Sequence, residues 1–316
     1  MLFIAKMAGV CAVLLACSAL SLLAQRITFS APMEVTHGKP YVMVMVNGRG
    51  PFRFVVDTGT GGEALVTPQL ADRLGLPEVG QVRLNDPSGQ GRQRAPLVLV
   101  DSLEVAGVEF TGIRAIRHRL DGEEDSCMGL LGFTLFRDYL LTLDYPSRRL
   151  MLESGALAAE SDGSVVPFRM PQGVPIATLD VDDMKIEAQL DSGGSGLSFP
   201  EKVASRLKFA TELTVFGKGQ SLSTSYQVKA ARLAQDVRLG GYTFAQPFVE
   251  INPAFPLANF GSCPMHNFAL TFDQKSLLVR FAANRKLLRL DTTPTALHME
   301  HAPIQKPADI ALVPVG

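Results

Sequence analysis

The feature that most constrains how these 316 residues can fold is an internal duplication. The segment around Asp57 returns around Asp191, 134 positions later, and the same offset carries Gly107 onto Gly241 and Phe110 onto Phe244. Val105-Ala106-Gly107-Val108-Glu109-Phe110 therefore corresponds to Leu239-Gly240-Gly241-Tyr242-Thr243-Phe244, each reading as two strand ends around a turn. Further on the offset becomes 129, matching Gly132 to Gly261, Thr142 to Thr271 and Asp144 to Asp273. Self-similarity at a sustained offset means one structural unit built twice.

Within each copy the pattern is that of strands. Short β-branched and apolar runs such as Tyr41–Val46, Phe52–Val56 and Leu97–Val100 are separated by Gly, Pro, Asn and Asp, the residues of turns. A short helix is expected after each Asp motif, over Pro68–Leu74 and Pro200–Leu207, because proline suits a first helical turn; Gly75 would end the first. The Ala-, Ser- and Gly-rich stretch Glu153–Asp162 reads as a linker, and hydrophobic periodicity fades beyond Phe281. The expected organisation is a leader at 1–24, a first lobe at 33–153, a linker at 154–164, a second lobe at 165–283 and a tail at 284–316.

Composition removes several classes of function. A net charge of −1 with no block of Lys or Arg argues against nucleic-acid binding, and 47% hydrophobic residues against 19% charged allow a substantial core. The five histidines lack zinc-type spacing with cysteines or carboxylates, so no metal is expected. Of four cysteines, Cys11 and Cys17 lie near the N-terminus, leaving Cys127 and Cys263 for the folded part. Two buried free thiols are expected there, with a single bridge as the other reading.

Lys6 is followed by Met7–Ala24, an uncharged and mostly apolar run with Arg26 beyond it, the pattern of an export signal or membrane anchor. Leu14-Leu15-Ala16-Cys17 also resembles a lipoprotein cleavage box in which Cys17 becomes lipidated. Ordinary cleavage near Ala19, Ser21 or Ala24 and an uncleaved span are the other readings. Each puts the folded part outside the cytoplasm, periplasmic or extracellular, with membrane association through the N-terminal segment.

In each copy an apolar run leads to a carboxylate and a glycine: Phe54-Val55-Val56-Asp57-Thr58-Gly59 and Ala188-Gln189-Leu190-Asp191-Ser192-Gly193. If the copies pack about a pseudo-twofold axis, Asp57 and Asp191 meet at the centre. Adjacent carboxylates cannot both ionise cheaply, so they share one proton: one acts as base on a bound water while its protonated partner polarises a carbonyl.

Asp57-Thr58-Gly59-Thr60 and Asp191-Ser192-Gly193-Gly194, followed by Leu130-Leu131-Gly132 and Asn259-Phe260-Gly261, resemble the pepsin and retropepsin superfamily of aspartic peptidases. The first copy resembles the bacterial retropepsin-like branch, through Gly129-Leu130-Leu131-Gly132-Phe133 and Leu143-Asp144-Tyr145-Pro146. The resemblance covers roughly Thr36 to Phe281. It implies a mainly β, bilobal fold of two retropepsin-like barrels, with Asp57 and Asp191 catalytic and Thr58, Gly59, Thr60, Ser192 and Gly193 supporting their loops. Thr58 and Ser192 would hydrogen-bond across the lobes. It further implies a peptide or protein substrate bound in extended form, and no cofactor.

The second copy departs from the pattern at Gly194, where a hydroxyl or Ala is usual, and at Asn259, where an apolar residue is usual. Ser195 is a candidate to compensate. A hairpin tip at Asn85–Gly91, with a counterpart at Phe216–Gln220, is either a substrate lid or a plain connection. Glu123-Glu124-Asp125 reads as a solvated acidic loop, Asp182-Asp183 as a hairpin turn, and Asp144 and Asp273 as structural strand ends. Two alternatives to a peptidase acting within one chain stand: a catalytically silent peptide-binding protein that retains the fold, and a lobe that pairs with that of another chain.

Overall fold

The computed structural model describes residues 27–85, 92–120, 123, 126–220 and 225–291. The leader at 1–24, with Cys17, lies outside the described residues, as do 86–91 of the first hairpin tip. Strands account for 56% of the described residues and helices for 9%, so the mainly β expectation holds. The reason is visible along Met184–Asp191, where exposed and buried side chains alternate and every second residue enters the core.

An eight-stranded sheet is built from strands between Glu34 and Gly132, and a ten-stranded sheet from strands between Ile176 and Leu288. In the first, Arg49–Asp57 runs parallel to Cys127–Gly132 with Asp57 opposite Gly132. In the second, Met184–Asp191 runs parallel to Ala258–Gly261 with Asp191 opposite Gly261. Both hairpins of the 134-residue offset form, with turns at Ala106-Gly107 and Gly240-Gly241. The Asp182-Asp183 turn joins Ile176–Val181 to Met184–Asp191.

A third sheet, of six strands, takes strands from both segments. Its middle pair is Leu140–Asp144 against Ala269–Asp273, antiparallel, with Thr142 opposite Thr271 and their hydroxyls 2.8 Å apart. One apolar core runs through all three sheets, and a ring cluster of Phe133, Phe168 and Phe272 lies where the segments meet. Among the described residues no helix is long and apolar enough to cross a membrane.

Pro68–Leu74 is helical as expected: Thr67 caps it by accepting from the Leu70 amide, and Gly75 closes it at φ 64°. The second helix is shorter than Pro200–Leu207. It covers only Glu201–Ala204, because Pro200 still belongs to the strand Leu197–Pro200 and the chain tightens into turns at Arg206 and Leu207. Phe216–Gln220 is not a hairpin tip but part of the strand Thr214–Gln220, paired with Ser225–Arg232. Thr28–Pro32 pairs with Arg149–Glu153, and Leu287–Leu288 with Tyr242–Phe244.

Glu123 corrects the expectation of a solvated acidic run. Its side chain is only 8% exposed and is held by Lys39 and the Tyr41 hydroxyl. Cys127 and Cys263 are both buried and free. Asp144 accepts from the Ser147 amide, and Asp273 from the amides of Leu157, Lys275 and Ser276, so both organise chain ends and turns.

Candidate active site

Asp57 and Asp191 each stand at the last residue of a strand, where the chain turns away through Thr58-Gly59 or Ser192-Gly193. The two turns interlock. The Thr58 amide donates to Ser192 Oγ at 3.0 Å, and the Ser192 amide donates to Thr58 Oγ1 at 2.9 Å. Each hydroxyl then donates onward, Thr58 to the Leu190 carbonyl and Ser192 to the Val56 carbonyl, both at 2.7 Å. Thr58 and Ser192 have no exposed surface, so these four bonds fix the loops against each other with every hydroxyl satisfied.

This brace brings the carboxyls together. A Cβ at Gly59 would lie 2.4 Å from Asp191 Oδ1, and one at Gly193 would lie 2.4 Å from Asp57 Cγ. Each carboxyl thus sits over the other loop's glycine, a place no side chain could share. Burial, then the negative charge of Asp191, push the Asp57 carboxyl well above the usual carboxylate range, while the Thr60 hydroxyl opposes them.

The hydrogen bonds around the two carboxyls differ in two donors, a second loop amide at Asp191 and the side chain that reaches Oδ2. Asp57 Oδ1 accepts from the Gly59 amide at 2.8 Å, and Asp191 Oδ1 from the amides of Gly193 and Gly194 at 3.0 and 2.8 Å. Thr60 Oγ1 donates to Asp57 Oδ2 at 2.9 Å. On the other side Gly194 has no hydroxyl, and Asn259 Nδ2 donates to Asp191 Oδ2 at 3.1 Å instead. A Cβ at Gly194 would fall 2.2 Å from that amide nitrogen, so the glycine is what lets Asn259 in.

Ser195 therefore does not supply the missing donor; Asn259 does. The two departures from the pattern are one linked exchange, a hydroxyl in the loop replaced by an amide from a neighbouring strand. Sequence reasoning marked both positions but not their coupling; the signal available was that both changes fall in the same copy. Gln189 was missed as well. It lies two residues before Asp191 and donates to the Gly59 carbonyl at 2.9 Å, adding a tie between the loops.

Among the described residues no group of three His, Cys, Asp or Glu side chains is gathered as a metal ion would need. What the arrangement can do chemically is hold two carboxyls with one shared proton, each aimed by fixed amides. None of the curated proteins matches the chain. A family model described as aspartyl protease matches residues 42–135, the segment that carries Asp57, and this supports the aspartic protease family.

Proposed function

We propose that the chain is an aspartic endopeptidase with a bilobal, pseudo-twofold fold, whose Asp57 and Asp191 activate a water against a peptide bond. The observation that carries this reading is the reciprocal brace of Thr58 and Ser192, with each carboxyl packed over the opposite glycine. One carboxylate takes the proton of the water as it attacks the carbonyl carbon. The protonated partner donates to the carbonyl oxygen, and the proton taken up then passes to the leaving amine. No covalent intermediate with the protein is formed. The substrate lies extended in the cleft, where backbone hydrogen bonds hold it as an added strand.

The duplicated sequence, the matching parallel pairings that end at Asp57 and Asp191, and the six-stranded sheet that takes strands from both segments support the bilobal reading, with both carboxyls supplied by one chain. Export is part of the proposal through Lys6 and the apolar run Met7–Ala24. The mass of the mature N-terminus, with and without Cys17→Ser, separates signal cleavage, lipidation and retention of an anchor.

Asp57→Asn and Asp191→Asn should each lower cleavage of an unfolded protein substrate in mildly acidic buffer by at least about a hundredfold, with unchanged circular dichroism. Retained activity in either variant rejects the shared pair. The silent peptide-binding alternative drew on Gly194 and Asn259. It loses weight because Asn259 restores the donor that Gly194 lacks. Peptide binding without turnover by the intact protein from pH 3 to pH 8 would revive it.

A further inference from the structure

The faces that flank the two carboxyls differ sharply, although their backbones correspond. Residues paired across neighbouring strands lie on one face of a sheet, and so do residues two apart along a strand. Beside Asp57, the row on its own face runs Val55, Leu130, Leu65 and Ile116, all apolar. Val55 and Leu130 belong to a small apolar cluster separate from the main core, with Leu65 packed against it. Beside Asp191, the row on its face runs Gln189, Asn259, Ser198 and Glu250, all polar.

Glu250 ends this row. Its carboxylate lies 2.7–2.9 Å from where a Cβ at Gly196 would stand, whereas the matching Gly62 has only Ile116 Cδ1 at 3.9 Å. Gly196 thus leaves room for a charged group turned inward along the loop that follows Asp191. Among the described residues no hydrogen-bond or ion-pair partner of Glu250 is found, and Asn259 Oδ1, two strands away in the same row, is buried without a partner. A half-buried carboxylate without a cation is costly, and a substrate ammonium or guanidinium would relieve that cost.

We infer that Glu250, with Ser198 and Asn259, forms a subsite next to Asp191 that takes a Lys or Arg side chain of the substrate, while the Ile116, Leu65 and Leu130 row takes an apolar one. The inference rests on the peptidase reading and names the substrate class of the same cleft. The groups facing Glu250 are Ala230 and Ser198 from the adjacent strands, with Asn259 one strand beyond Ser198, and the Cys263 thiol from the short helix Ser262–Met265. Burial pushes the free Glu250 carboxyl up to about 7, so its charge and its preference for a cation should strengthen as pH rises.

The full chain is given a peptide library and its cuts are mapped by mass spectrometry; a basic residue should recur at one fixed position within two residues of the cut. For a matched peptide pair with Lys or Leu at that position, the ratio of kcat/KM values should rise between pH 5 and pH 8. Glu250→Gln should lower the ratio at least tenfold and Glu250→Ile should reverse it, while Glu250→Asp should keep Lys preferred. A ratio indifferent to all three substitutions, or no fixed basic position, overturns the inference. If the wild-type chain cleaves nothing, the peptidase reading fails instead, and binding of Asp57→Asn protein to the same peptides decides. Retention of Lys and Arg peptides that is lost in the Asp57→Asn, Glu250→Gln double variant upholds the subsite; retention indifferent to Glu250, or none, rejects it.

Discussion

At the scale of single residues, the site turns on which donor reaches which carboxylate oxygen. Asn259→Leu restores the side chain found at Leu130 but removes the donor to Asp191 Oδ2, and should lower kcat about tenfold, in keeping with the loss of one charge-assisted hydrogen bond. Adding Gly194→Thr returns a hydroxyl at the position of Thr60, and the double variant should regain part of that loss. Gly194→Thr alone should be worse than the double, because its Cβ, 2.5 Å from Asp191 Oδ2 in either variant, would in the single also run into Asn259. Steady-state kinetics of the three proteins checks this, and a double variant no better than either single would reject the exchange of donors. The Asp57 and Asp191 motifs were legible because four-residue patterns recur at a fixed offset. The Asn259 contact was not, since it joins residues 68 apart whose meeting depends on a parallel strand pairing. Glu123 misled for a similar reason: an acidic run reads as solvated until Lys39 and Tyr41 arrive from a distant strand.

Among the elements, the interlocked turns bear most on stability. Ser192→Ala removes a buried hydroxyl that donates to Val56 and accepts from Thr58, leaving both backbone groups unpaired. The expected cost is about 2–4 kcal/mol, read as a lower denaturation midpoint with unchanged m. Thr58→Ala should cost about the same, and the double variant less than the sum, since the two side chains share one network. A strictly additive result would mean that the brace is not a unit. The first helix was readable from Thr67, Pro68 and Gly75, all local signals. The second was over-read because proline opens a helix and also ends a strand, and only the pairing of Pro200 with Asn252 decides between them. The strand Thr28–Pro32 escaped notice because its burial alternates only between exposed and intermediate positions, too faintly for a pattern in so few residues.

For the molecule as a whole, buried carboxyls make stability depend on pH in a definite direction. An unfolded Glu250 ionises near the ordinary carboxylate value, whereas the folded one does so only near about 7. Its contribution is therefore whole below the ordinary value and is lost as pH rises through about 7. Glu250→Gln, which cannot ionise, should gain stability relative to wild type between pH 5 and pH 8; chemical denaturation at both pH values measures it, and no relative gain would show that Glu250 ionises freely in the folded protein. The six-stranded sheet has a different consequence. Its seam at Thr142 and Thr271 joins the two chain segments through backbone pairing and a shared aromatic core, independently of the covalent link between them. A cut in the peptide chain between Glu153 and Leu157 should leave a nicked protein that migrates as one species on gel filtration. Two separately encoded fragments meeting at that point should reassemble by complementation inside one cell, the way a zipper closes after its stitching has been cut.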